Sequence, residues 1–350
     1  MSYRDDIRKI GCLNLPWEKL SGKNILITGA TGLIGSTVVD VLLNRPNIDY
    51  EIYASGRNFD RISEKLLLGS NIQHLHFLKY DVTTPLLSDI DFHFIISAAS
   101  GANPIEYATN PVGIIKANII GTDNLLSYGI GHKLERFVYV SSGEVYGEGD
   151  GRVFTENYSG YVDCTSVRSC YPTSKRAAES LCIAYAHQYG INVSIARLSH
   201  VFGPNFTEND NRVYAQFIRN VLKGEDIVMK SSGEQFRSWC YVVDCASALL
   251  YIMLKGENGL AYNVADGKSN ISIKELASII AGIANKKVKF NLPSTVEKQG
   301  FNIVSKSVFD TQRLEEIGWH TLSESIQKNL EKTIDEVKYR NQIQIPKPKV

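Results

Sequence analysis

Tyr171 and Lys175 stand four residues apart in Tyr171-Pro172-Thr173-Ser174-Lys175, a spacing that puts both on one face of a helix. A nearby ammonium and an oxidised nicotinamide both favour phenolate over phenol, which predicts a tyrosine pKa drawn down towards working pH. Such a phenolate takes a proton from a sugar hydroxyl as hydride leaves the same carbon. Ser142, in Ser141-Ser142-Gly143-Glu144, is placed to hold that oxygen. Taken alone, the tyrosine–lysine spacing is equally that of an ordinary amphipathic helix. What separates the two readings is the order along the chain: a glycine loop, Asn118 in a middle helix, a strand-end serine, then tyrosine and lysine.

The glycine loop follows the β-rich run Asn24-Ile-Leu-Ile-Thr28 and reads Gly29-Ala30-Thr31-Gly32-Leu33-Ile34-Gly35, with a helix beginning inside it. A diphosphate sits at a helix N-terminus, where free N–H groups and the positive dipole end face it. Glycines let the backbone come close to the phosphates and let helix pack on strand. The spacing is G-x-x-G-x-x-G in place of G-x-G-x-x-G. Gly29, Thr31, Gly32, Leu33, Ile34 and Gly35 are the expected cradle; the bland reading is a glycine-rich turn. The second strand ends Ala54-Ser55-Gly56-Arg57-Asn58, with no acid for the ribose 2′-OH of NAD. Arg57 is either a partner for the 2′-phosphate of NADP or a solvated loop arginine, so the expected cofactor is NAD or NADP with a lean to NADP. Asp81, beside Val82, either accepts from the adenine amino group or caps the following turn. Ala98, Ala99 and Ser100 close the fourth strand with small side chains, leaving room for the middle of the cofactor.

The elements that position these residues alternate. Strand-like runs at 24–28, 51–54, 74–79, 92–97, 135–141 and 191–197 enclose helical spacings at 33–45, 59–68, 111–130 and 171–189. This predicts an α/β fold with a parallel sheet covered on both faces. Beyond about residue 198, short helices at 211–222, 244–255, 272–285 and 322–340 surround brief strands near 226–229 and 261–264, a smaller lobe interleaved with the first. Residues 1–21 show no clear period and read as an arm with Trp17 packed on the body; 341–350 read as a tail. In composition, 38 Lys plus Arg against 37 Asp plus Glu leave a net charge of +1, which argues against a nucleic-acid groove or a polybasic membrane patch. No apolar run reaches about 18 residues, and the opening residues lack the apolar core of a secretory leader. Six scattered cysteines without a C-x-x-C pair suggest reduced thiols and a cytoplasmic location, and no metal site is expected.

With these motifs in order, the chain over about 22–335 resembles an extended short-chain dehydrogenase/reductase of the NAD-dependent epimerase/dehydratase family. The resemblance implies a Rossmann doubly wound parallel sheet over 22–198, a smaller α/β C-terminal substrate lobe over 199–340, and a nucleotide-diphosphate sugar as substrate. It places the catalytic serine, tyrosine and lysine on Ser142, Tyr171 and Lys175, and a structural asparagine on Asn118. Arg237, in Arg237-Ser-Trp-Cys-Tyr-Val-Val-Asp244, falls where an arginine clamps the nucleotide diphosphate; the bland reading is a surface ion pair. In Arg197-Leu-Ser-His200-Val-Phe-Gly203-Pro204, His200 replaces an asparagine expected to contact the sugar or its phosphate, or else is a buried structural histidine.

The fate of a 4-ketosugar sets the reaction. A 4,6-dehydratase needs an acid beside its base, commonly as adjacent Asp-Glu, whereas this chain has Gly143-Glu144. A decarboxylase needs less, because a C6 carboxylate β to the ketone leaves as CO2. A simple 4-epimerase needs no glutamate there. Glu144-Val-Tyr-Gly, Val167-Arg168-Ser-Cys170-Tyr171 with Lys175-Arg176-Ala-Ala-Glu179, and Asn209-Asp-Asn-Arg212-Val213 resemble UDP-glucuronate decarboxylases, and by that likeness Arg168 lies near the catalytic end and Arg212 and Val213 near the nucleotide. A dehydratase, an epimerase or ketoreductase, and a cofactor sensor without turnover are the alternatives. The family implies a homodimer through 111–130 and 171–189, with Tyr107, Leu126, Leu181 and Tyr185 as apolar surface.

Overall fold

The β-branched and apolar run Asn24–Thr28 is strand β1, buried on both faces as a central parallel strand requires. The computed structural model describes residues 2–58, 66, 71–102, 104–207, 210–291 and 306–342; the helical spacing at 59–68 (apart from Leu66), Asn209 and residues 343–350 of the expected tail lie outside them. The other strands are β2 Glu51–Gly56, β3 Leu75–Lys79, β4 Phe94–Ser97, β5 Arg136–Ser142, β6 Val193–Leu198, β7 His200–Phe202, β8 Ile227–Met229, β9 Phe236–Tyr241, β10 Ala261–Val264, β11 Asn270–Ser272, β12 Val288–Phe290 and β13 Lys306–Ser307. Among the described residues, the main sheet runs in the order β10-β6-β5-β4-β1-β2-β3, every neighbouring pair parallel. Strand order reverses at β1, between β2 and β4, and a crevice opens at the carboxyl ends there, the usual place for a ligand in such a sheet.

The helices are α1 Tyr3–Gly11, α2 Leu33–Leu43, α3 Pro104–Thr109, α4 Pro111–Ile130, α5 Cys170–Tyr189, α6 Val213–Leu222, α7 Val242–Lys255, α8 Ile273–Ile283, α9 Gln312–Glu316 and α10 Ile326–Gln342. α2 and α7 cover one face of the main sheet, α4 and α5 the other, each over its own buried cluster. β7, β9, β11 and β13 form a smaller sheet, and β8 pairs with β12.

Two features depart from the expectations. β10, read as part of the smaller lobe, pairs with β6 and extends the main sheet, Ala261 opposite Ile195. Residues 3–11, read as aperiodic, form a helix started by a reciprocal capping box between Ser2 and Asp5, with Tyr3, Ile7 and Ile10 buried. This helix is tied behind the glycine loop. Asn205 donates to Ser36 Oγ at 2.8 Å and to Tyr3 Oη at 3.4 Å, while Ser36 Oγ donates to the Gly32 carbonyl at 2.7 Å. Arg340 of α10 donates to Asn205 Oδ1 at 2.7 Å, so both ends of the chain brace the loop.

Candidate active site

The glycine loop has the stereochemistry of a phosphate cradle. Gly29 has φ +69°, and a Cβ there would lie 2.7 Å from the Ala98 carbonyl oxygen. At Gly35 a Cβ would lie 2.5 Å from the Gly29 oxygen, so α2 could not approach β1 as it does with any larger residue. Gly32 is the N-cap of α2, and no side chain caps the helix, which leaves first-turn N–H groups for an anion. Thr31 and Ile34 are half-buried at the loop and Leu33 is buried beneath it. Thr28 Oγ1 accepts from the amides of Ala98 and Ala99 and so joins the ends of β1 and β4, with Ser100 following. These residues fit a dinucleotide diphosphate.

At the second and third strands, Arg57 is exposed and Asp81 is engaged. The Asp81 carboxylate accepts from the Thr83 amide at 3.0 Å and hydroxyl at 2.8 Å, which hold it below the usual carboxylate range, with Arg57 adding to the effect. The turn-capping reading of Asp81 is therefore realised. Val82 is buried against α4, where a Cβ at Gly121 would lie 2.9 Å from it. Asn118, also on α4, donates to Ser174 Oγ at 2.9 Å and so fixes α4 to the first turn of α5.

Tyr171 and Lys175 share one helix face as their spacing predicts, but the amine is not paired with the phenol oxygen. Lys175 Nζ donates to the Val140 carbonyl at 2.7 Å and lies 5.7 Å from the Tyr171 ring centroid, closer to the ring of Tyr139. Burial pushes the lysine down to about 7, against the pull of Glu179. Burial also pushes Tyr171 up to about 12, and the charge of Glu144 adds to this; Ser142, Arg212 and Arg168 oppose it. The expected acidic phenol is thus absent from the protein alone, because desolvation outweighs an ammonium that has turned to a backbone acceptor.

This has a consequence for stability. Unfolded Lys175 is protonated up to its ordinary value near 10.5, whereas the folded amine is neutral above about 7. Between those limits the unfolded chain binds more protons, so stability rises with pH. The ligand-free protein is expected to gain stability in denaturant melts from pH 7 towards 9, and Lys175→Met to lose that slope.

Around the phenol the chain gathers charge. Glu144, half-buried after β5, takes an ion pair from Arg168 at 2.7 Å, and its amide donates to Ser142 Oγ at 3.2 Å. Arg212 caps α6 and is paired with Asp210, which with Tyr214 holds its charge against burial; Val213 packs on the core beside it. Arg237 is buried and burial lowers it to about 10, with Glu144 pulling the other way. His200 opens to solvent in the cleft, yet the surrounding walls and then the cations of Arg237 and Arg212 push it down to about 3, so it is neutral. Arg237 is thus buried and not on the surface, and His200 is exposed and not buried.

Four contributors were given no role in the site from the sequence. Tyr107 of α3 stacks on Tyr171. Glu179 accepts from Ser141 at 2.5 Å and from Arg197 at 2.7 Å beneath the catalytic turn. Its place one helical turn after Lys175 was the available clue. Phe309 packs where a side chain at Gly143 would go, a Cβ there lying 2.0 Å from its ring. Ser174 lies within the quoted motif but gained meaning only from Asn118. Among the described residues, no His, Cys, Asp and Glu cluster is arranged to hold a metal ion, and no helix is long and apolar enough to cross a membrane.

Comparison with known proteins agrees with this geometry. Residues 25–265 match the NAD dependent epimerase/dehydratase family. The chain is 33% identical to UDP-glucuronic acid decarboxylase 5 of Arabidopsis thaliana over 300 residues, 85% of each chain, and 35% identical to decarboxylase 3 of that plant over 269 residues, 77% and 76% of the two chains. In structure it is similar to a UDP-N-acetylglucosamine 4-epimerase of Methanobrevibacter ruminantium, with a TM-score of 0.79, 25% identity, and coverage of 91% of this chain and 99% of that one. The fold is also that of the NAD-bound dTDP-glucose 4,6-dehydratase of Streptomyces venezuelae, at a TM-score of 0.76 and 21% identity, covering 91% and 98%. A Rossmann sheet with its glycine cradle at the switch point and Ser142, Tyr171 and Lys175 at its edge carries the same conclusion as the match over 25–265: the chain belongs to the NAD dependent epimerase/dehydratase family.

Proposed function

We propose that this protein oxidises C4 of a nucleotide-diphosphate sugar and decarboxylates a UDP-glucuronate-like substrate. The observation that carries the reading is the catalytic turn: Glu144 is present, while the neighbouring position is a glycine whose side-chain space Phe309 fills, so no second carboxyl group can stand there. The names of the Arabidopsis relatives support it. When bound, the nicotinamide supplies a hydride acceptor and afterwards a donor. The chain's own residues do the rest. Tyr171 takes the proton of the C4 hydroxyl, and Ser142, beside the phenol, holds that oxygen. Lys175, one helical turn on, would hold a ribose hydroxyl of the dinucleotide when it is bound. Once C4 is a ketone, a C6 carboxylate is β to it, and its C–C bond breaks to release CO2 with the electron pair passing into a C4–C5 enolate. C5 then takes a proton from solvent, which restores the C4 ketone, and Tyr171 returns its proton to the C4 oxygen as C4 is reduced. Arg168, Arg212 and Arg237 bring guanidinium groups to the site, Arg168 shared with Glu144 and Arg212 with Asp210, and guanidinium geometry suits a diphosphate and a carboxylate.

NAD is the dinucleotide of the family; the exposed Arg57 keeps NADP as the alternative. Residues 199–340 are proposed as the principal substrate lobe. For a homodimer, Tyr107 and Leu126 are buried and offer no surface, whereas Val112, Ile115 and Ile120 on α4 and Ile183 and Tyr189 on α5 are exposed apolar residues available to a second copy.

Incubation with a panel of nucleotide hexoses and uronates, read by mass spectrometry, tests the reaction. Loss of CO2 from a uronate is expected. Loss of water from a hexose would reassign the protein as a dehydratase, and a product of equal mass but altered retention as an epimerase.

A further inference from the structure

Tyr107 is buried in the short helix α3, and nothing in the reaction itself requires it. Its ring stacks on that of Tyr171, with centroids 4.8 Å apart and planes 27° apart. The Arg168 guanidinium lies 4.5 Å from the Tyr107 centroid. Tyr107 therefore touches both Tyr171 and Arg168 and joins them in one stack. Arg168 is anchored in turn, since it donates to Glu144 at 2.7 Å and the Glu144 amide donates to Ser142. Ser142 also lies against the phenol of Tyr171. The contacts therefore form a closed ring: Tyr171, Tyr107, Arg168, Glu144, Ser142 and back.

We propose that Tyr107 and Arg168 are positioning residues for Tyr171: the stack fixes the plane of its ring, and Arg168 neutralises the glutamate that would otherwise oppose its ionisation. The aromatic tier contributes geometry, because offset stacking between confined rings restrains rotation and tilt. Arg168 contributes charge, since a carboxylate beside a phenol favours the neutral phenol and a guanidinium on that carboxylate offsets it. The groups facing the phenol are Glu144 and Ser142 from the turn after β5, Arg168 from the turn before α5, Arg212 from the cap of α6, Tyr107 from α3, Tyr139 from β5 and Lys175 from its own helix. Of these, Arg168 alone both touches Glu144 and stacks on the aromatic tier. It is half-exposed, so its replacement leaves the core intact.

The proposal rests on the reading of Tyr171 as the catalytic base, and its test separates the two. In the NAD-bound protein carrying ring-carbon-labelled tyrosine, the resonance absent from Tyr171→Phe reports ionisation of Tyr171 without any substrate. Arg168→Gln is expected to move its midpoint to higher pH by about one unit, and to move the acid limb of the kcat profile by the same amount. Arg168→Lys keeps the charge and should leave both in place, while kcat falls roughly tenfold through lost stacking. Tyr107→Phe keeps the ring and should behave as wild type; Tyr107→Leu should lose roughly tenfold in kcat with KM unchanged. An unmoved Tyr171 midpoint in Arg168→Gln overturns the proposal, as does a Tyr107→Phe variant as impaired as Tyr107→Leu. A shifted midpoint without turnover of any nucleotide sugar would uphold the stack and dismiss the function assigned above.

Discussion

Tyr171→Phe is expected to lower turnover by roughly a thousandfold while dinucleotide binding and thermal stability stay close to wild type. The size follows from what the phenol does: positioned proton transfer contributes about two to four decades, and no neighbouring group can take over. Lys175 is turned to the Val140 carbonyl, Glu144 is held by Arg168, and His200, pushed down to about 3 by desolvation in the cleft, is too weak a base. The selectivity follows from packing. A phenylalanine ring keeps the buried contact with Tyr107 and leaves the glycine cradle untouched. The kinetic signature should be a fall in kcat with little change in KM, the mark of an interaction made in the transition state. Dinucleotide retained at wild-type occupancy, read from the ultraviolet spectrum of the purified protein, completes the test. A variant with a tenth or more of normal turnover would mean that another group draws the proton.

The parts of this site that were legible in the sequence are those encoded locally. A strand running into glycines and then a helix is a short-range pattern, and β1, the loop and α2 lie where 24–28, 29–35 and 33–45 predict. Helices 111–130 and 171–189 were likewise legible, because a proline near each start and a long run without a further proline mark them. What was not legible is contact between distant segments. β10 joins the main sheet by pairing with β6, a parallel crossover that no turn announces. The capping box of α1 and the i, i+4, i+7 spacing of Tyr3, Ile7 and Ile10 were there to be read, so the reading of 1–21 as aperiodic missed a local signal. The electrostatic error at Tyr171 has the same origin as the misplacement of β10. Residue spacing reveals that an ammonium is near a phenol, not that burial and a backbone carbonyl decide where the ammonium points.

Gly143 is where such a distant contact bears on the reaction. A Cβ at this position would stand 2.0 Å from the Phe309 ring, and that ring cannot swing aside. It is buried with Val145, Tyr146, Phe154 and Ala265, edge-on to Tyr146 at 5.6 Å, and its own amide is tied to Ser238 at 3.1 Å. The strain in Gly143→Ala must therefore pass into the turn that carries Ser142 and Glu144. A displacement of about 1 Å in a reacting group costs about a hundredfold, and Gly143→Ala is expected to lower kcat by that order while overpacking costs about 1–3 kcal/mol of stability. Phe309→Leu in the same chain should return most of the lost activity, since a smaller side chain admits the methyl group. In the double-mutant cycle the two changes should be strongly non-additive in both kcat and melting temperature, as expected of groups in direct contact. Independent, additive losses would show that the turn is positioned by other contacts. If the coupling is found, the acid that a dehydratase needs at this place is excluded by packing as well as by the absence of a side chain. Gly143→Asp alone would then fail to dehydrate a hexose, because its carboxyl would meet the Phe309 ring before it reached a sugar.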